Sequence, residues 1–173
     1  MQWVGRIGVL WGGAGVLGML GFAIFRLTPR AVAAYEMGLT GWQWAIAVVF
    51  CAFMAYSEGY RGFQLRFSPR SAARIRYLRD HPSLVRSLLA PLFTLGFFHA
   101  TRRTKVFAWV LTFGIVVLVV LVHRLDQPWR GIIDAGVVLG LSWGVLSLAW
   151  CIHRALGQQD VDYSPEVPVP GVS

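Results

Sequence analysis

Acidic residues are scarce in this chain. There are eight in 173 residues, against sixteen basic ones, and Lys105 is the single lysine among them. Charge of either sign is thin, at 14% of residues, where soluble domains carry about 25%. Only two cysteines occur, Cys51 and Cys151, both in apolar stretches. They exclude a disulfide framework and give no zinc spacing. There is no HExxH, no GxSxG and no paired DxxxD, so the common metalloprotease and nucleophile-elbow chemistries have no foothold and no catalytic residue is assigned. What the chain has instead is hydrophobicity. Apolar residues make up 56%, and eight tryptophans are present. Tryptophan gathers at membrane–water interfaces. The formal charge of +8 therefore points to anionic lipid headgroups rather than to nucleic acid.

Four segments have the length and apolarity to cross a bilayer of about 30 Å. They run from about Val4 to Phe25, Gly41 to Tyr56, Val106 to Val122 and Gly131 to Ile152. Each is expected to be helical, because a segment in lipid must satisfy its own backbone amides. Arginine sets the orientation. The connection from Arg61 to Lys105 holds nearly all the basic residues between spans and one acid, Asp80, whereas 27–40 and 123–130 are poor in them. The long connection is thus read as cytoplasmic, with both termini on the same side. The AVA run at Ala31–Ala33 has the look of a signal-peptide cleavage site, but Arg26, Pro29 and Arg30 just before it argue against one.

The cytoplasmic connection, 61–105, reads as a basic interfacial helical region. In SPRSAARIRYLRD, Ser68 stands where an N-cap belongs and Pro69 at the first helical position. Ala72, Ile75 and Leu78 share a face, with Arg70, Arg74 and Arg76 to the sides, as in a helix lying on a membrane surface. A leucine-rich stripe over Leu84–Leu92 follows, broken by Pro91 and continued by LFTLGFF to Phe98. The stretch 84–100 is read as interfacial or re-entrant, the alternative being a fifth span that would put Arg102, Arg103 and Lys105 outside, against the charge rule. Arg70, Arg74, Arg76, Arg79, Arg86, Arg102 and Arg103 are expected to hold anionic headgroups, each worth about 1 kcal/mol near the surface. The tail, 158–173, is acidic and proline-rich and is expected to be disordered.

Glycine marks the packing faces. Gly5, Gly8, Gly12 and Gly15 line one side of the first helix; Gly136, Gly140 and Gly144 form overlapping GxxxG patterns on the fourth. They predict close helix packing within the chain, or with a protein partner or a second copy. Two carboxylates fall in or beside spans. Asp134 lies four residues after Arg130, and Glu58 three before Arg61. Both spacings suit local ion pairs, with Asp134 close beneath the outer surface and Glu58 at the cytoplasmic exit of the second helix. His99 and His153 share the cytoplasmic side, but no two histidines have the i, i+4 spacing of helical ligands. No cofactor and no metal are expected.

The runs EGYRGFQLRFSPR, LLAPLFTLGFFHATRRTK and QPWRGIIDAGVVLGLSWG resemble a type of small inner-membrane protein of Gram-negative bacteria, over most of 56–153. The resemblance implies the same four-helix threading and a bacterial inner membrane, and brings no activity with it. The expected protein is an all-α membrane bundle over 1–157, with a scaffold or accessory-subunit role. The other reading is a transporter or channel component assembled through the glycine-lined faces.

Overall fold

The computed structural model describes residues 2–157 and 163–167. It is all-helical there. Helix α1 covers Gln2–Glu36, α2 Gly41–Met54, α3 Ser68–Asp80, α4 Leu84–Leu88, α5 Ala90–Leu95, α6 Arg102–His123 and α7 Trp129–Gly157. Three of these, α1, α6 and α7, are long and apolar enough to cross a membrane. The chain is a membrane protein by that measure. Helix α2 has 14 residues.

Between α2 and α3 the helix does not stop. Ala55–Phe67 forms a π-helical segment, so one rod runs from Gly41 to Asp80. Its start is set by Gln43, whose amide oxygen accepts the Thr40 N–H at 2.9 Å. The expected cap at Ser68 is absent. Ser68 is itself helical, fully buried, and donates its N–H to Phe63 O five residues back. The wide turn explains how Pro69 is passed without a break. A proline ring clashes with the carbonyl four residues earlier in an α-helix, and closure on i+5 opens that turn.

Helix α7 is the spine. It packs along α1, the π segment, α2 and α3. Both glycine faces are filled from within the chain. A Cβ at Gly8 would stand 2.7 Å from Ser87 Oγ, at Gly12 3.0 Å from Thr94 Oγ1, and at Gly15 2.5 Å from Pro91 Cγ. So α1 receives α4 and α5. On α7, Gly136 meets Phe50, Gly140 meets Glu58, and Gly144 meets the Phe63 ring, so that face receives the α2–π rod. Ala72, Ile75 and Leu78 are buried, and α3 lies against α1 and α7. The apolar face of α3 is thus turned to protein. Exposed apolar side chains on the connection include Leu84, Val85 and Leu88 of α4, Leu89 between the two short helices, and Leu92 of α5. These two short helices break at Leu89, and α5 ends at Gly96, whose φ of +90° is costly for any residue with a Cβ.

Helix α6 stands nearly alone. Its buried residues are Thr104 and Ala108, both in its first third, while Phe113, Val116, Val119 and Leu121 are all more than half exposed.

Candidate functional site

The polar centre of the molecule is Arg74. It sits on α3 with no exposed surface. Its guanidinium is held by four carbonyls: Nε donates to Phe93 O at 2.6 Å, Nη1 to Pro165 O at 2.7 Å, and Nη2 to Phe98 O and His99 O at 3.1 Å each. The same group lies 4.1 Å from the centre of the Phe93 ring. Burial, then the neighbouring Arg70 charge, hold its pKa down to about 10. Such a planar donor set suits arginine and no other side chain. With the tail in place its N–H groups are directed at carbonyls inside the fold, one of them Pro165 O, and not at the membrane surface.

One of those carbonyls belongs to the tail. Residues 163–167 are seated on the module, while 158–162 and 168–173 lie outside the described residues. Disorder is therefore not the state of the 163–167 stretch. Glu166 O accepts the Thr101 N–H at 3.0 Å, and the Glu166 carboxylate accepts the Thr104 hydroxyl. Arg70 Nη1 stands 4.0 Å from that carboxylate. Val167 packs on the cluster of Leu78, Ala90 and Phe93. The anchoring makes sense physically. Arg74 Nη1 would otherwise be buried without an acceptor, and an unsatisfied charged donor is expensive.

The other arginines divide by surroundings. Arg102 and Arg103 are exposed at the start of α6. Arg76 and Arg79 both meet Asp80, at 3.5 and 3.0 Å, and Arg79 also donates to Leu156 O at the end of α7. Arg86 donates to the Tyr77 hydroxyl at 3.3 Å and approaches His99 Nε2 at 3.4 Å. The His99 ring is held below the ordinary histidine range by burial first, then by Arg86, Arg74 and Lys105. His153 lies against Trp150, well apart from the His99 surroundings in its partners.

The two expected carboxylate pairs do not form. Among the described residues the salt bridges are those of Arg70, Arg76 and Arg79. Glu58 sits in the π segment, where a turn closing on i+5 no longer brings a residue three positions on beneath it. Arg61 is exposed, and Glu58 faces Gly140 instead. Gly140 is eleven residues into α7, about 16 Å from its start at 1.5 Å per residue. Glu58 is therefore near mid-span rather than at a helix exit. At the start of α7 Arg130 turns to His123, with Nη2 to Nδ1 at 2.9 Å. Asp134 is 4% exposed and its Oδ2 has no hydrogen-bond partner. Arg30, Arg130 and His123, from α1, α7 and α6, act on it electrostatically. The α7 start is capped by Gln127: its Oε1 accepts the Gly131 N–H and its Nε2 donates to Arg30 O, both at 3.2 Å.

A groove of about 510 Å³ runs along α7 between Gln64 and Trp150, with Ser142, Trp143, Ser147 and Cys151 in its wall. Trp143 Nε1 donates to Gln64 Oε1 at 2.8 Å across it. No family model, curated protein or solved structure matches this chain.

Proposed function

We infer that the protein is a non-enzymatic scaffold or accessory subunit of a bacterial inner membrane. It holds anionic lipid with its arginine-rich module and a partner's membrane helix with α6. In this reading α2 and the start of the π segment form a fourth span, and both termini face the cytoplasm. The observation that carries it is the bareness of α6. A 22-residue apolar helix is joined to its own bundle near its first turns and left uncovered along the rest. The glycine faces are filled by α2, α4, α5 and the π segment, and of the three long apolar helices α6 is the least covered by its own chain. Gly114 supplies the test. A Cβ there would meet nothing within 4 Å, so Gly114→Leu leaves the protein's own packing alone. Mild-detergent purification of the tagged protein from its membrane should bring a stoichiometric partner, and Gly114→Leu should lose it while staying folded. Partner retention by that variant would sink the α6 part of the reading.

A transport role draws on one observation, the burial of Asp134 with Glu58 near mid-span. It predicts that Asp134→Asn or Glu58→Gln abolishes function in folded protein. The scaffold reading expects both to keep the partner.

A further inference from the structure

The first turn of α6 is charged the wrong way. Arg102, Arg103 and Lys105 stand at its N-terminal end and no acid does, although a helix start carries partial positive charge and favours anions. The same end has Thr101 as N-cap, its hydroxyl accepting the Thr104 N–H at 3.4 Å, with Thr104 behind it. Arg70 and the fully buried Arg74 come up from α3. Into this seat the tail places a carboxylate, that of Glu166, touching the Thr104 hydroxyl. The occupant does not match the seat. Glu166 brings one negative charge against Arg70, Arg74 and a helix start. Arg70 is 4.0 Å away, beyond hydrogen-bond range, and its Nε is buried with no acceptor. Glu166 itself has φ of +49°, a left-handed conformation that non-glycine residues seldom adopt. Its side chain is 42% exposed, so the seat opens to solvent.

We propose that Arg70, Arg74, Thr101 and Thr104 form a phosphate-binding seat, which the tail residue Glu166 occupies until a phosphate group displaces it. A phosphate offers more acceptor oxygens and, as a monoester, up to a second charge. It supplies Arg70 Nε with a partner and replaces both the Glu166 carboxylate at Thr104 and the Pro165 carbonyl at Arg74 Nη1. The source is a lipid headgroup or free phosphate. The seat deepens the lipid-binding reading given above and rests on it for the lipid source alone. Displacement releases 163–167, so binding is reported by the tail.

The test uses the full chain in maltoside micelles, which carry no phosphate, alone, with phosphatidylglycerol added, and with inorganic phosphate in the buffer. Hydrogen exchange is followed at the Thr101 amide, which the tail protects, and over 163–167. Retained lipid is counted by native mass spectrometry. Exchange should speed up severalfold with phosphatidylglycerol. An equal effect of inorganic phosphate identifies free phosphate as a sufficient ligand; no effect of it identifies the headgroup. Glu166→Gln should make exchange fast without either ligand, and Thr104→Val, which removes the hydroxyl donor, should do the same if the first variant folds poorly. Retained phosphatidylglycerol with an unmoved tail under both ligands would overturn the seat and leave the lipid-binding reading standing. Loss of lipid retention together with an unmoved tail would overturn both.

Discussion

Replacing Arg74 by methionine measures how much of the fold hangs on its guanidinium. The change removes donors from four carbonyls. The Phe93 carbonyl is buried, and stranding it costs about 1–3 kcal/mol. The Pro165, Phe98 and His99 carbonyls are partly reached by water and cost about 0.5–1 kcal/mol each. The contact with the Phe93 ring at 4.1 Å adds about 1–2 kcal/mol, being desolvated. Against these stands the relief of a buried charge. Its pKa is held to about 10 from 12.5, equivalent to about 3 kcal/mol. The net is a loss between about 0.5 and 5 kcal/mol, centred near 2–3, which at the centre is a fall of about 5–10 °C in Tm for a chain of this size. Arg74→Lys keeps the charge but not the planar fork, so it retains the burial cost and gives back few of the bonds. Lysine should therefore be no better than methionine. Cys51 and Cys151 are partly buried free thiols, so unfolding in detergent can be followed with a thiol-reactive dye. If Arg74 acted only as a charge toward headgroups, with no structural part, lysine would rescue both stability and lipid retention. An unchanged Tm for Arg74→Met with lost phosphatidylglycerol would refute the hub.

Gly131→Ala should destabilise by about 1–3 kcal/mol, the usual cost of overpacking, because its Cβ would collide with that of Ala34 and lie 2.7 Å from Arg30 O. Gly18→Ala, in open space on α1, should be neutral or stabilise by up to about 1 kcal/mol through helix propensity; equal melting of the two variants would remove the close contact. At His99 the folded pKa lies below that of the unfolded chain, so the unfolded state takes up the proton first as pH falls. The stability contributed by neutral His99 is complete above the ordinary histidine pKa and is lost as pH drops through the window beneath it. Arg86→Ala should raise the His99 titration midpoint followed by NMR, and an unmoved midpoint would show that Arg86 does not act on it.

Much of this was readable in the sequence, but unevenly. Helix α6 is an unbroken apolar run, and period and length alone define it. The glycines of α1 and α7 announce close approach, since a missing Cβ has few other uses at that spacing, but they carry no sign of which helix arrives. Arg74 was legible in part. It precedes Ile75 by one residue and Leu78 by four, so it falls on the inner stripe with Ser71 and Ala72, which are small enough to leave it room. Reading only Ala72, Ile75 and Leu78 hides that. The π segment had no signal, because AYSEGYRGFQLRF contains nothing that distinguishes closure on i+5 from closure on i+4. Glu58 was misplaced for that reason alone. The tail was misjudged by composition. Pro165, Glu166 and Val167 are too few to fold, yet they dock because Arg74 and Thr101 need their carbonyls.

The polar contacts also settle a question that glycine leaves open. Gly136, Gly140 and Gly144 repeat every four residues, so sliding the α2–π rod by one turn would present another glycine to much the same neighbours. Dispersion between smooth faces is similar before and after such a slip. What does not repeat is the set of bonds at the ends. Gln127 ties α7 to Arg30 of α1 at one end. Arg79 ties α3 to Leu156 of α7 at the other, and Trp143 ties α7 to Gln64 between them. A one-turn shift, about 5.4 Å, would break those that join the rod to α7, with no equivalent partner one turn away. Asp134 belongs to the same logic. It lies five residues into α7, buried and within the electrostatic reach of Arg30, Arg130 and His123. A carboxylate there favours the one register that gathers Arg30, Arg130 and His123 around it. Polar contacts at three levels along the axis thus fix the register of α7 against its neighbours, which the glycine repeat alone would not.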